Sequence, residues 1–154
     1  MKKTPKEIAD RAKSPAECDS LLKNAIENGW DEIAVELRKR SIYLRAKLED
    51  PATSIEEQCW QAVCAYEDVL TQKNGKKTYA RRIRNSAKNK GIVLAIAGSV
   101  SRRIDTSGFL LLNKLGLLEY SFEAAVVKFE DEFSNEVIEN AKKRLLETKD
   151  LPDE

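Results

Sequence analysis

The chain has 154 residues, of which 42% are hydrophobic, 34% charged and 6% aromatic, with 6 Gly, 4 Pro, 3 Cys, no His and a formal net charge of +1. That length can bury a real core, while sparse Gly and Pro beside abundant Lys and Glu exclude a collagen-like or low-complexity chain and argue against a β-sandwich. The missing histidine excludes serine–histidine–aspartate and cysteine–histidine nucleophile systems and the HExxH zinc proteases, whose chemistry needs an imidazole.

Two helix starts open the chain. Thr4-Pro5-Lys6-Glu7 and Ser14-Pro15-Ala16-Glu17 each set a hydroxyl cap before a proline and a glutamate three residues on, a pattern that satisfies the free amides of a first turn. The second of these helices should stop at Asn28-Gly29, and a third is expected from about Trp30 to Leu48. Trp30, Ile33, Ala34, Leu37, Leu44 and Leu48 fall on one face of the third helix, and Val35, Ile42 and Ala46 mark a second, so packing on two sides is expected. Asp50-Pro51 breaks the chain, which suggests an N-terminal helical hairpin over 1–50 docked on a helical core over 51–150, with 151–154 as a tail.

Thr53 or Ser54 caps a fourth helix whose Ile55, Cys59, Ala62, Val63, Tyr66, Val69 and Leu70 form a continuous apolar stripe, ended by Lys73-Asn74-Gly75. A fifth helix is expected from about Thr78 to Asn89, closed by Gly91. Ile92 to Arg103 reads as a sixth, although the apolar run Ile92–Ala97 equally suits a short buried strand. A leucine-rich helix ending at Gly116, another over about Ser121–Lys128, and a last one after Ser134, with Phe133 and Ile138 as a hydrophobic staple, complete the chain. The fold class expected is all-α, a compact bundle of about eight helices.

Residues 1–13 hold no apolar run of the secretory type, and no window approaches the roughly 20 apolar residues of a membrane span. Cys59 and Cys64 would point about 140° apart on one helix, Cys59 on the apolar face and Cys64 off it. They should not bond to each other, so a reduced, cytoplasmic setting is expected. C-x4-C with no histidine and one distant cysteine does not make a zinc site, and neither a metal nor a cofactor is expected. Trp30, Phe122, Val126, Phe129 and Phe133 read as core rather than as a ligand pocket.

The feature with functional content is a separation of charge. Between Asp68 and Asp105 there is no acidic residue, and these 36 positions carry Lys73, Lys76, Lys77, Arg81, Arg82, Arg84, Lys88, Lys90, Arg102 and Arg103. The rest of the chain holds 17 basic against 26 acidic residues, so a segment of +10 sits in a background of −9. Such separation costs self-repulsion, and a polyanionic partner is its natural reason.

On a helix from Thr78, with Lys77 at its mouth, Lys77, Arg81, Arg84 and Lys88 would project within about 60° of one another, with Tyr79, Ala80, Ile83 and Ala87 on the opposite side. Asn85 and Asn89 interleave with that stripe and suit phosphate oxygens or base edges, while Lys73, Lys76, Arg82, Lys90, Arg102 and Arg103 would widen it. The expectation is a non-enzymatic nucleic-acid-binding module, preferring duplex DNA because Tyr79 is the segment's one aromatic and is expected on its apolar side. The Lys77–Asn89 helix, Gly91 and the next helix would form a unit resembling a helix-turn-helix.

Two other functions compete. The same surface suits an adaptor or regulatory subunit that binds an acidic protein. A metal-dependent nuclease would use Glu56-Glu57, Glu67-Asp68 or Glu130-Asp131-Glu132, which read better as caps or solvated faces. A purely internal use is neutralisation of the arginines by residues 119–154, where 11 acids stand against 5 bases.

Overall fold

The computed structural model describes residues 3–102 and 107–149, and among these the fold is all-α. The chain divides into two compact units, Met1–Asp50 and Pro51–Glu154.

The first unit holds α1 (Pro5–Asp10), α2 (Pro15–Glu27) and α3 (Asp31–Leu48). Its starts are those read from the sequence: Thr4 Oγ1 accepts from the Glu7 amide and Ser14 Oγ from the Glu17 amide, each with proline in the first turn. Both α1 and α2 pack on α3, around Ala9, Ala25, Ala34 and Leu37. The Arg40 Nε donates to the Ala12 carbonyl at 3.0 Å. Ile42 and Ala46, on the second face of α3, are also buried, whereas Trp30 and Leu48 are exposed. Trp30 is therefore not core: it stands before the first turn of α3, where the chain has not yet turned inward.

The second unit holds α4 (Ser54–Asn74), α5 (Arg81–Lys90), α6 (Ile92–Ser101), α7 (Ser107–Lys114), α8 (Phe122–Lys128) and α9 (Asn135–Lys149), with single 3-10 turns at Leu118–Tyr120 and Glu130–Glu132. The run Ile92–Ala97 is helix. Its Ile92, Ile96 and Val100 meet Cys59, Ala62 and Val63 of α4, Phe122 and Val126 of α8, and Val137 and Ala141 of α9 in one core. The Tyr66 and Phe122 rings contact with centroids 5.4 Å apart. Thr53 caps α4 as read, and Ser134 Oγ accepts from the Val137 amide at the head of α9, with Phe133 and Ile138 both packed on the core.

Cys18, Cys59 and Cys64 are all free and buried. Cys64 was expected off the apolar face, but four successive residues, Ala62 to Ala65, are buried, so the buried surface of α4 is wider than its apolar stripe. No helix among the described residues is long and apolar enough to cross a membrane.

Candidate nucleic-acid interface

The basic helix begins three residues later than its periodicity suggests. Thr78 donates its amide to Thr71 Oγ1 at 3.0 Å, and the Ala80 amide donates to Glu67 Oε2 at 2.9 Å, so the segment before Arg81 is pinned along α4 instead of coiling. Lys77 consequently lies in the connection, not in a helical stripe. Gly75 ends α4 in the left-handed region, at φ 71°, as a turn after Asn74 requires.

Arg84 leaves the stripe altogether. Its Nε and Nη2 donate to Glu67 Oε2 and Oε1 at 2.6 and 2.8 Å, and its guanidinium carbon lies 5.5 Å from the ring centroids of both Trp60 and Tyr79. The Glu67 carboxylate is buried, which corrects its reading as a solvated polar face and as a metal-ligand candidate. A buried carboxylate requires full hydrogen bonding, and Arg84 together with the Ala80 amide supplies it. Internal neutralisation of the segment is thus found at Glu67 on the neighbouring helix. In the acidic C-terminal third, Glu123 pairs with Arg144 and Glu130 with Lys142.

The other cations remain at the surface. Lys73 in the last turn of α4, Lys76 and Lys77 in the connection, Arg81, Arg82, Lys88 and Lys90 on α5, and Arg102 at the end of α6 are all exposed. Arg81, Asn85 and Lys88 are spaced to share one exposed face of α5, while Ile83 and Ala87 pack on the core. Asn89 is exposed as well. Arg103 lies outside the described residues.

Tyr79 was expected on the apolar side. It is instead 51% exposed within the basic surface, because the pinned connection holds it outside the helix, and Lys77 Nζ lies 5.6 Å from its ring centroid. The surface therefore includes one aromatic ring, already shared by two cations.

Helices α5 and α6 pack on each other and are joined by Gly91 alone. Its amide donates to the Ala87 carbonyl and its carbonyl accepts from the Ala95 amide, so one residue serves both helix ends, at φ 90° and ψ 154°. A helix-turn-helix uses a turn of three to four residues, so this pair does not form that motif.

A cavity of about 440 Å³ opens beside this surface. Tyr66, Leu70, Leu112 and Phe122 give it apolar walls, so Phe122 is both core and wall, and Lys73, Arg81, Arg82 and Arg102 stand at its margin. Glu123, buried in the same lining, accepts from Arg144 Nη1 at 3.0 Å, while Arg144 Nη2 donates to the Arg102 carbonyl. Burial pushes the Glu123 carboxyl above its usual range, against the opposing pull of Arg144. Sequence reading named Glu67 only as a solvated or metal-binding carboxylate and missed its role as the partner of Arg84, along with Glu123, Arg144 and the cavity. A signal existed for Glu67, which stands at helical spacing between Val63 and Leu70 of the buried stripe, and for Glu123, three residues before the buried Val126.

No protein-family model, characterised protein or solved structure matches the chain significantly.

Proposed function

We propose that the 51–154 unit binds nucleic acid, with duplex DNA as its preferred form, by neutralising phosphates rather than by reading bases. The observation that carries this reading is the exposure of eight cationic side chains, Lys73, Lys76, Lys77, Arg81, Arg82, Lys88, Lys90 and Arg102, in a stretch of chain with no acidic residue. Arginine forks and lysine ammonium groups pair with phosphate oxygens, and the release of condensed counterions drives association. Arg81, Asn85 and Lys88 form the centre of the contact. Arg84 has a different role: it fixes the start of α5 against α4 and so sets where Arg81 and Arg82 stand.

Duplex is favoured over single strands because strand binding without base pairing relies on successive stacking platforms. Tyr79 offers one ring, with Lys77 and Arg84 already near it. The reading assigns no catalytic step and no cofactor.

An acidic protein surface is the second reading, favoured by Leu94, which is 58% exposed on the helix next to α5 and suits an apolar contact. Fluorescence anisotropy with labelled mixed-sequence duplex, single-stranded DNA and RNA separates the two. Phosphate binding gives an affinity for any duplex that falls with salt, whereas a dedicated protein surface leaves all three probes free at low salt.

A further inference from the structure

The cavity beside the basic surface differs from a phosphate-tracking groove in its walls. Tyr66 and Leu70 of α4, Leu112 of α7 and Phe122 of α8 line a concave space of about 440 Å³, within the range of small-molecule sites. The cations at its margin come from three separate places: Lys73 from α4, Arg81 and Arg82 from α5, and Arg102 from the position that caps α6. Three polar side chains of the lining each make a bond within the protein. Ser99 Oγ donates to the Ala95 carbonyl, Ser121 Oγ accepts from the Ala124 amide, and Glu123 accepts from Arg144. A ligand rich in hydrogen-bonding edges, such as a nucleobase, would compete with those bonds for its partners, whereas a hydrocarbon body against Leu70, Leu112 and Phe122 needs none. The charge at the margin selects the sign of the head.

We propose that this cavity binds a small amphipathic anion, a molecule with a hydrocarbon body seated against Tyr66, Leu70, Leu112 and Phe122 and a carboxylate or phosphate head held by Arg81, Arg82 and Arg102. The body gains by leaving water, and the head gains charge-assisted hydrogen bonds at the margin, where it keeps part of its hydration. Arg144 positions this site. By bonding both Glu123 and the Arg102 carbonyl, it joins the wall of the cavity to the end of α6 that presents Arg102. Nucleic-acid binding and this site share Lys73, Arg81, Arg82 and Arg102 but are separable, because Lys76 and Lys88 belong to the outer surface and do not line the cavity.

The test is titration of the full chain with decanoate below its micelle concentration, by calorimetry, with decanol as the uncharged body and with amide NMR shifts to locate the site. Expected are one site per chain, shift changes centred on Ser99 and Phe122, and at least tenfold weaker binding of decanol. Arg81→Ala/Arg102→Ala should weaken decanoate at least tenfold. Ser99→Phe should abolish binding, because Ser99 lines the cavity and spends its hydroxyl only on its own helix. Lys76→Glu/Lys88→Glu should leave decanoate binding unchanged whatever it does to duplex binding. Absence of decanoate binding, decanol binding as tight as decanoate, or unaltered affinity in the arginine double variant would overturn the proposal. Should Ser99→Phe fail to fold by circular dichroism, the exposed arginine pair decides the question alone.

Discussion

Glu67 and Arg84 form a two-pronged ion pair, 2.6 and 2.8 Å long, in which the glutamate side chain is 4% exposed and the arginine side chain 28% exposed. The cation at the centre of the basic helix is therefore a structural tie between α4 and α5. Arg84→Ala would leave a buried carboxylate held by the Ala80 amide without its cation, a change of the kind that costs about 3 kcal/mol. Chemical denaturation should register that loss, and Arg84→Lys should restore little of it, because an ammonium cannot reproduce the fork. A substitution as mild as one at an exposed cation, within about 0.5 kcal/mol, would show that the pair does not secure the helix.

Most helix boundaries were legible because they rest on local chemistry. The Thr4, Ser14, Thr53 and Ser134 caps occur as read, since a hydroxyl and an amide three residues on need no tertiary information. The start of α5 was not legible, because it depends on Glu67 reaching the Ala80 amide thirteen residues away. The same non-local bond moved Arg84 inward and left Tyr79 outside. The cavity was hidden for a related reason: its walls come from α4, α7 and α8, and the pattern on each helix taken alone resembles ordinary core.

Gly91 joins the basic helix to the core helix at φ 90° and ψ 154°, a region nearly closed to residues with a Cβ, although no atom lies within 4 Å of where that Cβ would sit. Gly91→Ala should therefore destabilise through backbone strain alone, by about 1–3 kcal/mol. A thermal melt measures it. An unchanged melting temperature would mean that the junction adopts another conformation.

The thiols should be inert in the native protein. Cys18, Cys59 and Cys64 are buried, and burial pushes the Cys59 thiol up to about 12, leaving about one thiolate in ten thousand at pH 8. Ellman's reagent should find no reactive thiol until denaturant is added, and three thereafter. Rapid modification of native protein would place at least one cysteine at the surface.

Glu123 gives the fold a defined pH dependence. Its carboxyl is raised above the ordinary 4.5 by burial, so from that value up to the higher native one the folded state holds a proton that the unfolded chain releases. Its contribution to the unfolding free energy falls as pH rises through that window. Comparing urea midpoints of wild type and Glu123→Gln across the window isolates this term, and the variant should lose the downward component. Parallel curves for the two proteins would mean that Glu123 titrates as it does in the unfolded chain.

The central claim, that the exposed face of α5 contacts phosphates, is tested most directly by anisotropy of a labelled mixed-sequence duplex with wild type and Arg81→Glu/Lys88→Glu over a range of salt. Arg81 and Lys88 are exposed and seven residues apart on one helical face, so their reversal changes the surface without touching the Glu67–Arg84 tie. If about five phosphates are neutralised, the logarithm of affinity should fall with the logarithm of salt at a slope of about −4 to −5. The double variant should bind more than tenfold more weakly, with a shallower slope, while its melting temperature stays near that of wild type. Equal binding by both proteins, or no binding by wild type at low salt, would contradict the account.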